Sequence, residues 1–271
     1  MTSARMSTLA TLRHRIERIE AQDGVLRPRR ASLGHAEADG ALQGGLALGT
    51  MHEVFAEAGR QSAAATGFVA GLAGRIAPRR PLLWIRQDFS ERETGALSMS
   101  GLAEFGLDPR CLVTVRAADV DAALRAAADA LACDALGAVV LEVWGETQKL
   151  DLVASRKLTL AAQASGVTAL VLRIAATPVP STAETRWIVC AAHSPPSTAR
   201  HALHAWQPWG APIFDVELVR NRHGLLGRWI MEWKCDECLF TEPAADSQPL
   251  AATPAHRPHQ AQARELRRRA G

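Results

Sequence analysis

The sequence has no dense, even set of cysteines. Its five, Cys111, Cys133, Cys190, Cys235 and Cys238, are odd in number and scattered, which excludes a disulfide-stapled secreted scaffold and points to a reducing cytoplasm. It has no run of about 18 apolar residues, and its polar, Arg-rich first residues lack an apolar signal segment, so neither membrane spanning nor secretion is expected. It has no internal repeat. What it does have is 48% hydrophobic residues over 271 positions, ample for one large domain with tails or at most two small domains. The formal net charge of +3 conceals an uneven distribution. Residues 1–30 carry seven Arg against three acids, and residues 257–271 carry five Arg against one acid, leaving the rest net acidic. A fold that grips nucleic acid concentrates its cations in the core, because phosphate neutralisation supplies most of the affinity. Here the cations lie in the ends, where they serve solubility or weak binding of nucleic acid or a partner.

Hydrophobic periodicity divides the chain into four parts. Ser7 or Thr8 caps a predicted helix within residues 1–24, where Leu9, Leu12, Ile16 and Ile19 form one apolar stripe that must dock on its own domain or on another chain. Residues 25–47 are rich in Gly and read as linker and loop. Residues 48–240 form the predicted core, and 241–271 a disordered basic tail rich in Pro, Ala, Gln and His. Within the core, strands at 50–55, 81–86, 112–115, 138–143 and 168–174 alternate with helices at 63–76, 93–105, 120–132 and 150–165. Each parallel crossover needs a helix, so this alternation predicts a parallel sheet covered on both faces. Consecutive strands at 185–192, 213–222 and 228–233 then predict an antiparallel extension, the last two joined as a hairpin at His223-Gly224.

Several segments resemble the RecA family in order and spacing: Asp39 to Gly49 followed by Thr50 to Phe55, Phe105-Gly-Leu-Asp108 with Leu112, the Ala-rich run 121–132, Ala138 to Glu142, and Leu218-Val-Arg-Asn-Arg222. The resemblance covers residues 39–233 and implies a RecA-like P-loop NTPase fold, α/β, with a mainly parallel sheet and antiparallel C-terminal strands. Its nucleotide loop is degenerate. A working loop needs small residues, a Lys on the β and γ phosphates and a Ser or Thr hydroxyl on magnesium. The stretch Ala56-Glu-Ala-Gly-Arg-Gln-Ser-Ala-Ala-Ala-Thr66 contains no Lys. Ala56 and Gly59 open it, Ala64 and Ala65 lie where the family has Lys and Ser/Thr, and Thr66 falls one place beyond. Arg60 stands too early in the loop to replace the Lys, and Glu57 adds negative charge.

The resemblance also gives Asp88 the position of the water-activating carboxylate, Glu142 that of the metal-supporting acid, Arg173 that of a polar sensor, and Arg220 and Arg222 those of cations reaching a neighbour's phosphates. The plainer reading makes Asp88 and Glu142 solvated acids at strand ends, and pairs the two Arg with Glu217 or Glu232 on an exposed strand. Fold without a phosphate loop resembles the ImuA family, and the run Leu150 to Lys157 and the ending Arg228 to Trp233 are similar to it too. That resemblance implies an accessory role in SOS-induced translesion synthesis beside ImuB and an error-prone C-family DNA polymerase, with RecA a further partner. It implies no chemistry of its own, no ATPase activity and no cofactor. The competing reading is an active DNA-dependent ATPase or recombinase.

Other features carry less. The predicted DNA loops, 144–149 with Trp144 and 175–184, offer only Lys149 as a cation, against Glu146 and Glu184, so that face is expected to bind DNA weakly. Trp206 and Trp209 could stack on bases or cover the sheet edge. Lys234-Cys-Asp-Glu-Cys238 contains one CxxC without a second pair. Only distant His201 or His204 could complete a zinc site, so no metal is expected, and a redox pair would normally open a helix.

Overall fold

The runs 51–56, 138–144 and 168–174 are apolar or buried almost throughout, which only strands covered on both faces allow. The computed structural model of the protein describes residues 29–195 and 210–243, so the Leu9, Leu12, Ile16 and Ile19 stripe, His201, His204, Trp206, Trp209 and the C-terminal basic run lie outside the described residues. Within them the fold is α/β, built on a large, mostly parallel sheet. Strands β3 (Met51–Ala56), β4 (Leu82–Gln87), β5 (Leu112–Ala117), β6 (Ala138–Trp144), β7 (Thr168–Ile174), β8 (Thr185–Ala191), β9 (Ile213–Asn221), β10 (Gly227–Lys234) and β11 (Leu239–Thr241) form one sheet. Its order is β11-β10-β9-β8-β3-β7-β6-β4-β5. From β5 to β8 the pairing is parallel, and from β8 to β11 antiparallel.

Alternation along the strands makes two cores. Val54, Ala56, Val140, Trp187, Trp233 and Phe240 face α2 (Ser62–Ile76), whose Phe68 ring meets Trp187, Phe214 and Phe240 at 5.7, 5.9 and 5.2 Å. Met51, Leu141, Val143 and Val171 face α5 (Val120–Leu131) and α6 (Leu152–Ser165). Asp119 and Asp151 cap these two helices by accepting from Ala122 and Ala154 N–H at 2.7 Å each. No helix among the described residues is long and apolar enough to cross a membrane.

Two expectations need correction. Residues 29–47 do not form a linker: β1 (Arg30–Ala31) pairs with β2 (Leu46–Ala47) around α1 (Ala36–Ala41), and Leu33, Ala38, Leu42 and Leu46 are buried in the first core. The Asp39 carboxylate organises the segment by accepting from Ser32 Oγ and from the Leu33 and Gly34 N–H groups, at 2.7–3.0 Å. The expected helix 93–105 is two helices, α3 (Asp88–Thr94) and α4 (Met99–Glu104). Gly95, at φ +77°, ends the first, and Ser98 caps the second by accepting from Gly101 N–H.

One buried polar side chain in β3 is satisfied on both of its nitrogens. His52, on β3, has no solvent exposure and contacts Ala47 O at 2.8 Å and Thr185 Oγ1 at 2.7 Å. Burial is the main force pushing its pKa down to about 4, so the ring is neutral.

Candidate functional site

The carboxyl ends of β3, β6 and β4 bring together the loop after Ala56, Glu142 with Trp144, and Asp88, because Ala56 and Trp144 both lie level with Ile174 and Arg86 lies level with Glu142. In open α/β sheets ligands sit at such carboxyl ends. After Ala56 the chain makes one 3-10 turn, Gly59–Gln61, and enters α2 at Ser62. Gln61 does not cap the helix; its Oε1 accepts from Ala191 N–H at 2.8 Å and ties the loop to β8. Ala64 and Ala65 are in the first turn, Ala65 buried, and Thr66 follows in the helix. A Cβ at Gly59 would stand 3.0 Å from the Trp144 ring, so that indole lies directly on the loop backbone. Trp144 in turn meets Phe89 edge-on at 6.3 Å. Trp144, expected in a DNA-binding loop, instead forms a wall of the loop after Ala56.

Glu142 corrects the reading of a solvated acid. It is fully buried. Its Oε2 accepts from Trp84 Nε1 and Arg86 Nε, both at 2.9 Å, and its Oε1 accepts from Arg86 Nη2 at 3.0 Å. Arg86 spends two further donors on Gly95 O at 2.9 Å and Thr94 Oγ1 at 3.0 Å. This is a bidentate, charge-assisted pair. Three donors thus hold the Glu142 carboxylate, two on Oε2 and one on Oε1, so a metal ion there would compete with a buried cation. Asp88 behaves differently. It opens α3 at the rim, about one-third exposed, and meets Arg116 Nε at 3.1 Å, while the same nitrogen lies 3.1 Å from Glu91.

Arg173, expected at a sensor position, is 1% exposed and donates Nη2 to Gly145 O at 3.2 Å, with its guanidinium carbon 5.7 Å from the Phe55 ring centre. Burial lowers its pKa. Arg186 lies against the same ring at 5.8 Å and pairs with buried Glu53 at 2.8 Å. The two expected DNA loops are joined, since Glu146 Oε1 accepts from both the N–H and the Oγ1 of Thr177 at 2.7 and 2.8 Å. Those two bonds hold the Glu146 carboxyl below its usual range. Lys149, the loop's cation, pairs with Asp121 at 3.2 Å on the surface.

Arg220 and Arg222 are not part of this cluster. Arg220 lies level with Arg186, Asn221 with Thr185, and Thr185 with His52, toward the amino end of β3 and away from Ala56. Among the described residues neither pairs with Glu217 or Glu232, contrary to expectation; Glu232 instead holds Lys234. Sequence reasoning missed Trp84, Arg86 and Arg116. The available signal was Arg86 itself, since a cation inside a strand buried on both faces needs an acid on a neighbouring strand. Cys235 and Cys238 sit in the turn between β10 and β11. Among the described residues no group of three or more His, Cys, Asp or Glu could hold a metal.

No family model and no curated protein matches this chain.

Proposed function

We propose that this chain is a RecA-like protein of the ImuA type that has given up nucleotide chemistry and serves as an accessory factor in damage-induced translesion synthesis, working through protein contacts. The observation that carries this reading is the Arg86–Glu142 pair: the acid expected to support a metal is buried and committed, on both oxygens, to an internal cation. The neighbouring loop supports it from another side, because it has no Lys and its Gly59 lies beneath Trp144. Phosphoryl transfer depends on charge placed on the β and γ phosphates and on magnesium, and these residues supply neither. The RecA-like assignment itself is supported by the parallel sheet in which β3 feeds the loop and α2, followed by the antiparallel strands β9 to β11.

The partners in this reading are ImuB and an error-prone C-family DNA polymerase, with RecA as a third, and the basic ends give weak, salt-sensitive DNA binding. The test is twofold. The purified chain should show negligible ATP turnover with or without single-stranded DNA, and it should co-purify with ImuB from cells producing both. DNA-stimulated hydrolysis abolished by Asp88→Asn would replace this reading with an active DNA-dependent ATPase. Failure to associate with ImuB or the polymerase would remove the mutagenesis role.

A further inference from the structure

The CxxC sequence does not open a helix; it forms the whole turn of a hairpin. Cys235-Asp-Glu-Cys238 links β10 to β11, with Lys234 directly opposite Leu239. A four-residue turn brings its first and last Cα atoms within about 7 Å, and a disulfide spans Cα separations of about 4.4–6.8 Å. The strand register therefore holds the two Cα atoms close to the separations that a disulfide can span. Cys238 also stands at φ +50°, in the left-handed region where Gly or Asn is the usual occupant of a hairpin turn. Its Sγ points back across the turn toward Cys235 O, 3.3 Å away. On its other side it packs so closely on Gly106 that a Cβ there would stand 2.2 Å from the sulfur. Both cysteines are half-buried and carry free thiols.

We propose that Cys235 and Cys238 form a reversible oxidation site, closing to a disulfide across the β10–β11 turn when a small disulfide oxidant such as oxidised glutathione is supplied. The inference stands on hairpin geometry and does not depend on the proposed function. In the first step the Cys238 thiolate attacks one sulfur of oxidised glutathione, forming a mixed disulfide and releasing one glutathione thiolate. In the second, the Cys235 thiolate attacks the Cys238 sulfur and releases the other glutathione. The two cysteine protons end on the two glutathiones. One disulfide is reduced to two thiols, and two cysteine thiols are oxidised to one disulfide. Burial raises the pKa of the Cys235 thiol, which suits Cys235 to the second, resolving step. Closing the bond swings the Cys238 sulfur off Gly106 and loosens the contact between this hairpin and the segment after α4.

The experiment equilibrates the full chain in glutathione buffers of increasing oxidation, traps free thiols with a maleimide and maps the product by peptide mass spectrometry. The expected result is loss of two thiols and a mass lower by two hydrogens, confined to a 235–238 crosslink and reversed by reductant. Cys235→Ser should stop the reaction at a glutathione adduct on Cys238. In a second arm, Cys238→Gly should raise the melting temperature, since Gly fits the left-handed position without penalty; a lower melting temperature would show that the sulfur is there to pack on Gly106, which would overturn the inference. Thiols that stay reduced in fully oxidised glutathione, a crosslink to Cys111, Cys133 or Cys190 instead, or one zinc per chain retained through purification would overturn it equally.

Discussion

Glu142 and Asp88 both lie toward the carboxyl ends of neighbouring strands of one sheet, yet the fold treats these two carboxylates in opposite ways. Glu142 lies inside the sheet, without exposure, where water cannot share in solvating it. Trp84 and Arg86 do that work. Asp88 lies one residue beyond the strand, at the rim, where Arg116 approaches it from solvent and divides itself between Asp88 and Glu91. The difference is about what each acid is free to do. An interior carboxylate bonded on both oxygens is structural and cannot exchange its partner for a ligand without leaving a buried cation unpaired. A rim carboxylate can exchange partners at little cost.

The largest effect should come from breaking the interior pair. Arg86→Met leaves a buried carboxylate without its cation, and such a loss costs about 3–5 kcal/mol. Glu142→Gln strands the guanidinium and should cost a similar amount. The double variant Arg86→Met with Glu142→Leu, apolar throughout, should recover most of the loss, because the desolvation of both charges disappears together. Urea unfolding of all three measures this. A single-variant loss under about 1 kcal/mol would mean that the pair is solvated and that the contrast with Asp88 is false.

His52 sharpens the same contrast by pH. Its folded pKa, about 4, lies below the unfolded value of 6.5. The unfolded chain therefore takes up a proton through pH 6.5 that the folded chain refuses until pH 4. The contribution is fully present above pH 6.5 and is lost as pH falls toward 4, amounting to about 3 kcal/mol. Wild type should lose this much relative to His52→Gln between pH 7 and pH 4 in denaturant titrations. Parallel pH profiles for the two proteins would show that the ring can be protonated in place.

Strands were the most legible part of this sequence. Thr168–Ile174 has the bounds its apolar run predicts, since a segment buried on both faces leaves no ambiguity of period. Residues 29–47 were illegible because their order comes from a two-residue strand pairing, from four apolar side chains in the first core and from the Asp39 carboxylate, which gathers Ser32, Leu33 and Gly34, whereas local composition shows only a Gly-rich stretch. The split of 93–105 was written in Gly95 and Ser98, a stop and a cap inside a continuous helical pattern. At the candidate site the absence of any Lys from residues 56–66 could be read directly, but the fate of Glu142 could not. Its partner Arg86 is 56 residues away, and only the pairing of β4 with β6 brings them level.

The smallest effect should be at the rim, and its smallness is the point. Arg116 is 61% and Asp88 31% exposed on the side chain, so their attraction is screened, and an exposed pair of this kind contributes about 0.2–1 kcal/mol. Asp88 also favours the N-terminus of α3 by its charge, but α3 has only seven residues and that contribution is of the same modest order. Asp88→Asn removes the charge and keeps the shape. Glu91 remains to hold Arg116. The variant should therefore lose no more than about 1 kcal/mol in low salt, and the difference from wild type should shrink as salt is raised past the point where the Debye length falls to a few ångströms. Urea titrations at low and high salt read both quantities. A loss as large as that of Arg86→Met, unchanged by salt, would show that Asp88 is held by something beyond Arg116, and the two carboxylates would then belong to one interior network.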